Sequence, residues 1–205
     1  MILVDMNQIS LASVMMHLHM SKNTEPDENM VRHMILNSLR MYRTRFSSEY
    51  GELVLCYDSK HYWRRDFYPQ YKAGRRTKRE SDGKNWDAIF ECLNAIKAEI
   101  KDNLPYKFLE VYGAEADDII ASLVTEVAEE VLILSGDKDF IQLQRYPNVK
   151  QYSPITKKMV NGENPDFYLI EHVFKGDASD GVPNVLSPDN TFTDGLRQKP
   201  LGKKK

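Results

Sequence analysis

The chain is short of cysteine, holding only Cys56 and Cys92 among 205 residues. Two cysteines without metal-type spacing exclude a disulfide scaffold and a cysteine-based zinc site, and fit reduced thiols in a cytoplasm. No apolar run approaches the roughly 18 residues that read as a membrane span. The start, MILVDMNQ, lacks the basic segment and apolar stretch of a secretion signal. There is no internal repeat, and no low-complexity tract apart from the lysine-rich end. Histidine is also sparse: His17, His19, His33, His61 and His172 show no ligand spacing and read as structural. What remains is an ordinary soluble composition, 41% hydrophobic and 28% charged, for one domain with at most a small appendage.

Net charge is scarce as well, at −2, but it is unevenly spread. Lys60, Arg64, Arg65, Lys72, Arg75, Arg76, Lys78 and Arg79 stand within twenty residues that contain one acid, Asp66; Arg197, Lys199 and Lys203 to Lys205 close the chain. A concentrated basic segment in a near-neutral protein points to a polyanion, or else to a solvated loop.

Short apolar runs supply the frame. Ile2-Leu3-Val4 ends at Asp5, Leu53 to Tyr57 ends at Asp58, and Val131 to Leu134 runs into Ser135-Gly136-Asp137-Lys138-Asp139; each reads as a buried strand. Further strands are expected over Tyr106 to Val111 and Val149 to Tyr152. Between them helices are expected from Ser10 to Met20, after a start signal at Thr24-Pro26-Asp27, from Trp86 to Lys101 and from Ala114 to Glu130; Pro165 to Phe174 makes another. The second carries a helical stripe of Val31, Met34, Ile35, Leu39 and Tyr42. A short helix follows Asp139, and Lys157 to Gly162 reads as a turn. Strands alternating with helices predict an α/β fold with a mainly parallel sheet, whose functional groups gather beyond the carboxyl ends of the strands.

Singly, these acids read as turn formers, caps or partners of a helix dipole. Together, three strand ends and one helix start bring Asp5, Asp58, Glu115, Asp117, Asp118, Asp137 and Asp139 to one edge. Like charges so gathered repel, and burial makes this worse. Oxygen-only ligands call for hard cations such as Mg2+, with Mn2+ as a substitute. Glu115 and Asp118 share a helical face, with Asp117 about a quarter-turn away; Asp137 and Asp139 can point to one side. Two such sets suit two ions about 4 Å apart, an arrangement used for phosphodiester hydrolysis, without a nucleophilic serine, cysteine or histidine. A haloacid-dehalogenase-type phosphatase is disfavoured, because its second acid would fall at Asn7.

Seven segments then occur in a recognisable order. They are Leu3-Val4-Asp5, Val54 to Asp58, Tyr62 to Phe67 with Tyr71-Lys72, Tyr112 to Asp118 (YGAEADD), Ser135 to Phe140 (SGDKDF), Tyr146 to Gln151, and Gly176 to Asp180 (GDASD). The ordered set resembles the 5′-nuclease (flap endonuclease) family in its phage branch. That resemblance implies a magnesium enzyme with 5′-to-3′ exonuclease, flap-cutting and ribonuclease H activity in phage DNA replication. Its substrates would be RNA–DNA hybrids carrying RNA primers, and DNA with a free 5′ end or 5′ flap.

In the family's pattern Asp5, Asp58, Glu115, Asp117 and Asp118 surround a first metal. Asp137, Asp139, Asp177 and Asp180 serve a second; the last two acids come from the resemblance alone. It likewise makes the catalytic domain 1–181, with a helical arch over about 59–85, which Gly74, Gly83 and the charged composition suggest is mobile when empty. There Tyr71 would stack on a base and Lys72 would touch the scissile phosphate. Arg64, Arg65, Arg75, Arg76, Lys78 and Arg79 would follow the backbone, as fits sequence-tolerant single-strand binding. Packing within the arch is the other reading of Trp63, Tyr68 and Tyr71. Implied partners are a single-strand-binding protein and a sliding clamp; the molecule is expected to be a monomer in the cytoplasm of a phage's host.

Family members continue into a helix-three-turn-helix region and a further helical domain. Here 182–205 is expected to be the start of a truncated region, with Pro200-Leu201-Gly202-Lys203 as a remnant of its hairpin. An inactive nucleic-acid-binding fragment is therefore the alternative to a working nuclease.

Overall fold

The structure is a computed structural model and describes residues 1–202. Lys203, and with it the end of the expected hairpin remnant and of the basic tail, lies outside the described residues. Six strands form one sheet: β1 (Ile2–Asp5), β2 (Leu53–Tyr57), β3 (Lys107–Glu110), β4 (Val131–Leu134), β5 (Val149–Ser153) and β6 (Lys158–Val160). Their order is β3-β2-β1-β4-β5-β6, parallel except for the β5–β6 pair. The mainly parallel α/β sheet expected from the strand–helix alternation is thus present.

The interior strands are buried on both faces, which is why they read as continuous apolar runs. Alternate residues feed two cores. Ile2, Val4, Leu53, Leu55, Leu132 and Leu134 join α1 (Met6–Ser21), α2 (Glu28–Tyr50) and α5 (Trp86–Asn103) on one side. On the other side Leu3, Val54, Val131 and Ile133 meet α6 (Ala116–Glu126) and a 3-10 helix (Lys138–Arg145) through Ile120 and Phe140. The stripe read on α2 faces inward, with Val31, Ile35 and Leu39 fully buried.

The sheet winds outward from β1 in both directions, β2 and β3 to one side and β4 to β6 to the other. Adjacent β1 and β4 therefore flank the switch point, where open α/β sheets leave a crevice at their carboxyl edge.

Several expectations are corrected. The turn expected over Lys157 to Gly162 is strand β6. The reversal comes earlier, at 154–157, with Lys157 in the left-handed region at φ 56. A three-residue edge strand carrying Lys158 offers little apolar alternation to read, and an edge lysine discourages further pairing. Helix α1 begins at Met6 rather than Ser10, because Asp5 caps it directly by accepting from the Gln8 N–H at 3.0 Å. Helix α6 is shorter than expected at both ends. The arch segment forms α3 (Trp63–Phe67) and α4 (Gly74–Ser81) and makes contacts with residues 180–189. The Lys72 N–H donates to the Asp180 carbonyl at 2.7 Å, and the Tyr68 hydroxyl donates to the Asp189 carbonyl at 2.8 Å, with the Gly181 carbonyl 3.1 Å away. After α7 (Pro165–Lys175), residues 182–202 run in turns and extended stretches without a helix among the described residues.

Candidate metal centre and nucleic-acid interface

Asp5 ends β1 and is almost fully buried. Its Oδ1 accepts from the Gln8 N–H and its Oδ2 from the Ser135 hydroxyl at 2.9 Å. Burial, with the charges of Asp58 and Asp137 adding to it, pushes its carboxyl up to about 6. Asp58 follows β2 and accepts from the Ala116 N–H at 2.7 Å, which ties the β2 end to the start of α6. Burial raises it too, as does Glu115 nearby. Asp117, in the first turn of α6, is pushed up to about 8 by burial and by Asp5, Asp137 and Asp58. Asp137 caps the 3-10 helix through the Asp139 N–H. Asp139 is pushed up to about 6 by burial and by Asp137, with His172 drawing it back.

The remaining acids meet cations of the protein. Glu115, 2% exposed, accepts at Oε1 from the Lys72 ammonium at 2.5 Å. Its Oε2 accepts from the Tyr71 hydroxyl at 2.7 Å and from Arg64 at 3.1 Å. Arg64 also forks onto Asp118, at 2.7 and 2.8 Å, the bidentate geometry that suits guanidinium to carboxylate. Asp118 further accepts from the Trp63 indole and, in a capping box, from the Glu115 N–H. Burial works against the ionised form of Asp118, yet the Arg64 bonds hold its carboxyl below the usual range. Asp180 pairs with Arg75 and, at 3.6 Å, with Lys72.

Asp177 lies one residue beyond α7. Burial opposes its charge, but the Ser179 hydroxyl and N–H, each at 2.7 Å, keep it below its ordinary value. His172 of α7 brings Nε2 to 3.3 Å from Asp139 Oδ1. A cleft of about 620 Å³ joins Trp63, Phe67, Asp117, Asp118, Asp139, His172, Asp177 and Asp180.

Asp117, Asp118, Asp139, Asp177 and Asp180 line the cleft, with Asp5 and Asp58 at the strand ends beside it, and the acids of α6 stand in two electrostatic states. Asp117 accepts no hydrogen bond from the described residues and faces three other acids. Glu115 and Asp118 are already neutralised. The separation follows helix geometry: three residues on, Asp118 returns to the Glu115 side, while Asp117 turns toward the sheet.

The basic segment departs from expectation at two positions. Tyr71, expected to be open to a base, is 7% exposed, and Lys72, expected on a phosphate, is 9% exposed. Buried Glu115 provides the reason, since it draws both side chains inward to satisfy its two oxygens. Arg65, Arg75, Arg76 and Arg79 line a groove of about 320 Å³ beside them. Arg65 lies over the Tyr62 ring, and Arg79 over Trp86 and Phe90. Lys78 is exposed on α4. Trp63 is half exposed at the cleft mouth, with the Arg64 guanidinium 4.8 Å over its ring.

Sequence reasoning set His172 aside and overlooked the residues that hold the loop after β4. Gln151 donates to the carbonyls of Ser135 and Asp137 at 2.9 and 2.6 Å, and Gln8 accepts from the Gly136 N–H at 2.6 Å. A fully buried glutamine within a strand is a usable signal, because buried amides need partners.

A mostly parallel sheet with carboxylates gathered at its switch point defines the class, an α/β domain built around an acidic centre. Residues 1–170 match the family described as 5'-3' exonuclease, N-terminal resolvase-like domain, and the chain belongs to that family. It is 37% identical to the ribonuclease H of Enterobacteria phage T4 over 93% of this chain and 65% of that protein. It is 30% identical to the flap endonuclease Xni of Shewanella oneidensis over 60% of this chain and 48% of that one. The chain thus spans about two thirds of the first relative and half of the second. Among solved structures, the bacteriophage T5 D15 protein co-crystallized with metal ions superposes with a TM-score of 0.70, at 17% identity, over all of this chain and 80% of that one. The T5 D15 flap endonuclease in a pseudo-enzyme-product complex with DNA and metal ions gives 0.69, over 90% and 69%. At such identity the likeness is one of fold.

Proposed function

We propose that the chain carries the catalytic centre of a magnesium-dependent 5′-nuclease. Its substrates are RNA–DNA hybrids and DNA with a free 5′ end or 5′ flap, and its work is the removal of primers and flaps in phage DNA replication. One observation carries the reading: Asp5, Asp58 and Asp117 gather at the switch point with carboxyls raised by burial, Asp137 adds its charge to theirs, and Asp117 makes no ion pair among the described residues. An all-oxygen, multiply charged donor set fits a hard divalent ion. The named activities of the T4 and Shewanella relatives, and the metal ions and DNA bound by the T5 protein, support the same reading.

Asp5, Asp58 and Asp117 would hold a first ion together with Glu115 and Asp118; Asp137, Asp139, Asp177 and Asp180 would serve a second. When bound, such ions lower the pKa of an attacking water and stabilise the leaving oxygen. The chain's own residues do the rest. Ser135, Gln8 and Gln151 fix the loop after β4 and so the direction of Asp137. Arg64, Lys72 and Arg75 border the carboxylates, where they can receive a phosphate in exchange for Glu115 and Asp180. Arg65, Arg76, Lys78 and Arg79 continue this track along the strand, and Tyr71 is placed to meet a base once released from Glu115. The protein acts as a monomer in the host cytoplasm, with a single-strand-binding protein and sliding clamp as partners.

The test is magnesium-dependent cleavage of a 5′-labelled flap beside an RNA–DNA hybrid, in wild type and Asp117→Asn. Equal cleavage by both would remove the assignment. A second reading, a binding fragment without turnover, draws on the ion pairs that occupy Glu115 and Asp118. Its mark would be salt-sensitive binding with no product in magnesium or manganese.

A further inference from the structure

His172 is the histidine that stands among the acids of the cleft. Three separate pieces of chain deliver the group: Asp139 from the first turn of the 3-10 helix, His172 from the last turn of α7, and Asp177 from the loop beyond it. One ligand atom from each lies within 4.8 Å of the others. Donors about 2.1 Å from a common ion stand at most about 4.2 Å apart, so the group needs only a small contraction to close on one cation.

The placement is built into the fold. Tyr168, one turn earlier on α7, stacks on the imidazole with ring centroids 5.7 Å apart and 11° between planes. Gly176 ends the helix at φ +65 and turns the chain so that Asp177 returns toward His172. A Cβ there would lie 2.4 Å from the carbonyl oxygens of Val182 and Pro183, so both the backbone angle and the close approach require glycine. The Ser179 N–H and hydroxyl and the Asp180 N–H all donate to Oδ1 of Asp177. Its other oxygen remains for an ion.

A nitrogen donor changes what such a site selects. Carboxylates alone suit magnesium, whereas imidazole favours the borderline first-row ions, whose affinities for nitrogen ligands rise from manganese toward zinc. We propose that His172 joins Asp139 and Asp177 as a nitrogen ligand of the outer metal position, so that this position takes a manganese- or zinc-type ion in preference to magnesium. The oxygen-only group around Asp5 and Asp117 keeps its preference for magnesium. This rests on the reading of the cleft as a metal centre, and deepens it.

The experiment uses the full chain and manganese chloride. Pulsed electron paramagnetic resonance on bound Mn2+ reads coupling to a ligand 14N nucleus, and calorimetry reads affinity for Mn2+ and Mg2+ separately. Wild type is expected to show the nitrogen coupling. His172→Gln should lose it, together with roughly ten- to a hundredfold in Mn2+ affinity at one site, the scale seen even for outer partners of metal ligands. Magnesium affinity should change by much less. His172→Asp should restore binding of both ions without the manganese preference. Absence of nitrogen coupling in wild type, or coupling and affinity unchanged in His172→Gln, would overturn the inference whatever the fold of the variants. If that happens while magnesium-dependent cleavage still depends on Asp117, the nuclease reading stands and only the histidine ligand falls. If the wild type binds no divalent ion at all, both fall.

Discussion

The two halves of the acidic cleft differ in who supplies the positive charge. Glu115, Asp118 and Asp180 are met by Arg64, Lys72 and Arg75, so this half is complete within the chain. Asp5, Asp117 and Asp139 are raised by burial and by neighbouring acids, Asp137 among them in every case, and a cation from outside would stabilise that half in its ionised form. The difference separates acids that hold the arch against the domain from acids that await a ligand. Sequence alone presents all of them as equal carboxylates.

Removing an acid from each half should have opposite effects. Asp137→Asn is expected to lower magnesium-dependent cleavage by about a thousandfold or more, because the loss of ion-based charge stabilisation is worth several kcal/mol. Its metal-free fold should be as stable as wild type or more so, since a repulsive charge is gone. Glu115→Gln should instead destabilise the fold by about 3 kcal/mol, as expected for a buried ion pair deprived of one partner. Denaturant melts of both variants without metal give the contrast; a stabilised Glu115→Gln would erase the distinction between the halves.

pH and metal sharpen the same contrast. Asp5 and Asp117 sit above their ordinary 3.8, at about 6 and about 8, so the folded state holds protons that the unfolded chain has released. Metal-free stability should therefore fall as pH rises from about 4 to 8, lowering Tm by something on the order of 10 °C or more. Asp118 and Asp177 are shifted the other way, and their contribution is lost as pH drops through and below the ordinary carboxylate range. Saturating magnesium should flatten the upper limb and leave the lower one. A chelated protein with no slope between pH 5 and 8 would mean that the open half is not strained. Gly176→Ala comes next in size. With its Cβ forced onto two carbonyl oxygens, it should cost about 1–3 kcal/mol and weaken metal binding at the Asp177 side only.

The strands and the acids at their ends could be read from sequence because a both-faces-buried strand is a plain apolar run, and its end is marked by the first charge. Such a reading locates Asp5, Asp58 and Asp137 without any tertiary knowledge. The docked arch could not be read this way. A basic stretch looks the same whether it is solvated or folded onto carboxylates forty residues away, as Lys72 is onto Glu115. His172 was hidden for a related reason. Ligand spacing within one helix is visible in sequence, whereas Asp139, His172 and Asp177 meet only after α7 packs on the 3-10 helix. Strand β6 escaped because three residues of edge strand carry too little pattern to distinguish from a turn.

The smallest effect tests whether the basic track is separable from both halves. Arg76 is almost fully exposed and, among the described residues, pairs only with Glu80, four residues on along α4. Such pairs contribute little to stability, so Arg76→Ala should leave the melt within about 0.5 kcal/mol of wild type. If Arg76 follows a strand backbone, single-strand binding should weaken alike for every base composition. The slope of log affinity against log salt should drop by about 0.7, the share of one phosphate contact on a single strand. Lys72→Ala should behave differently, because it changes stability as well as binding by leaving Glu115 without its ammonium. An unchanged salt slope in Arg76→Ala, with fold intact, would remove Arg76 from the track and confine nucleic-acid contacts to the residues that border the carboxylates.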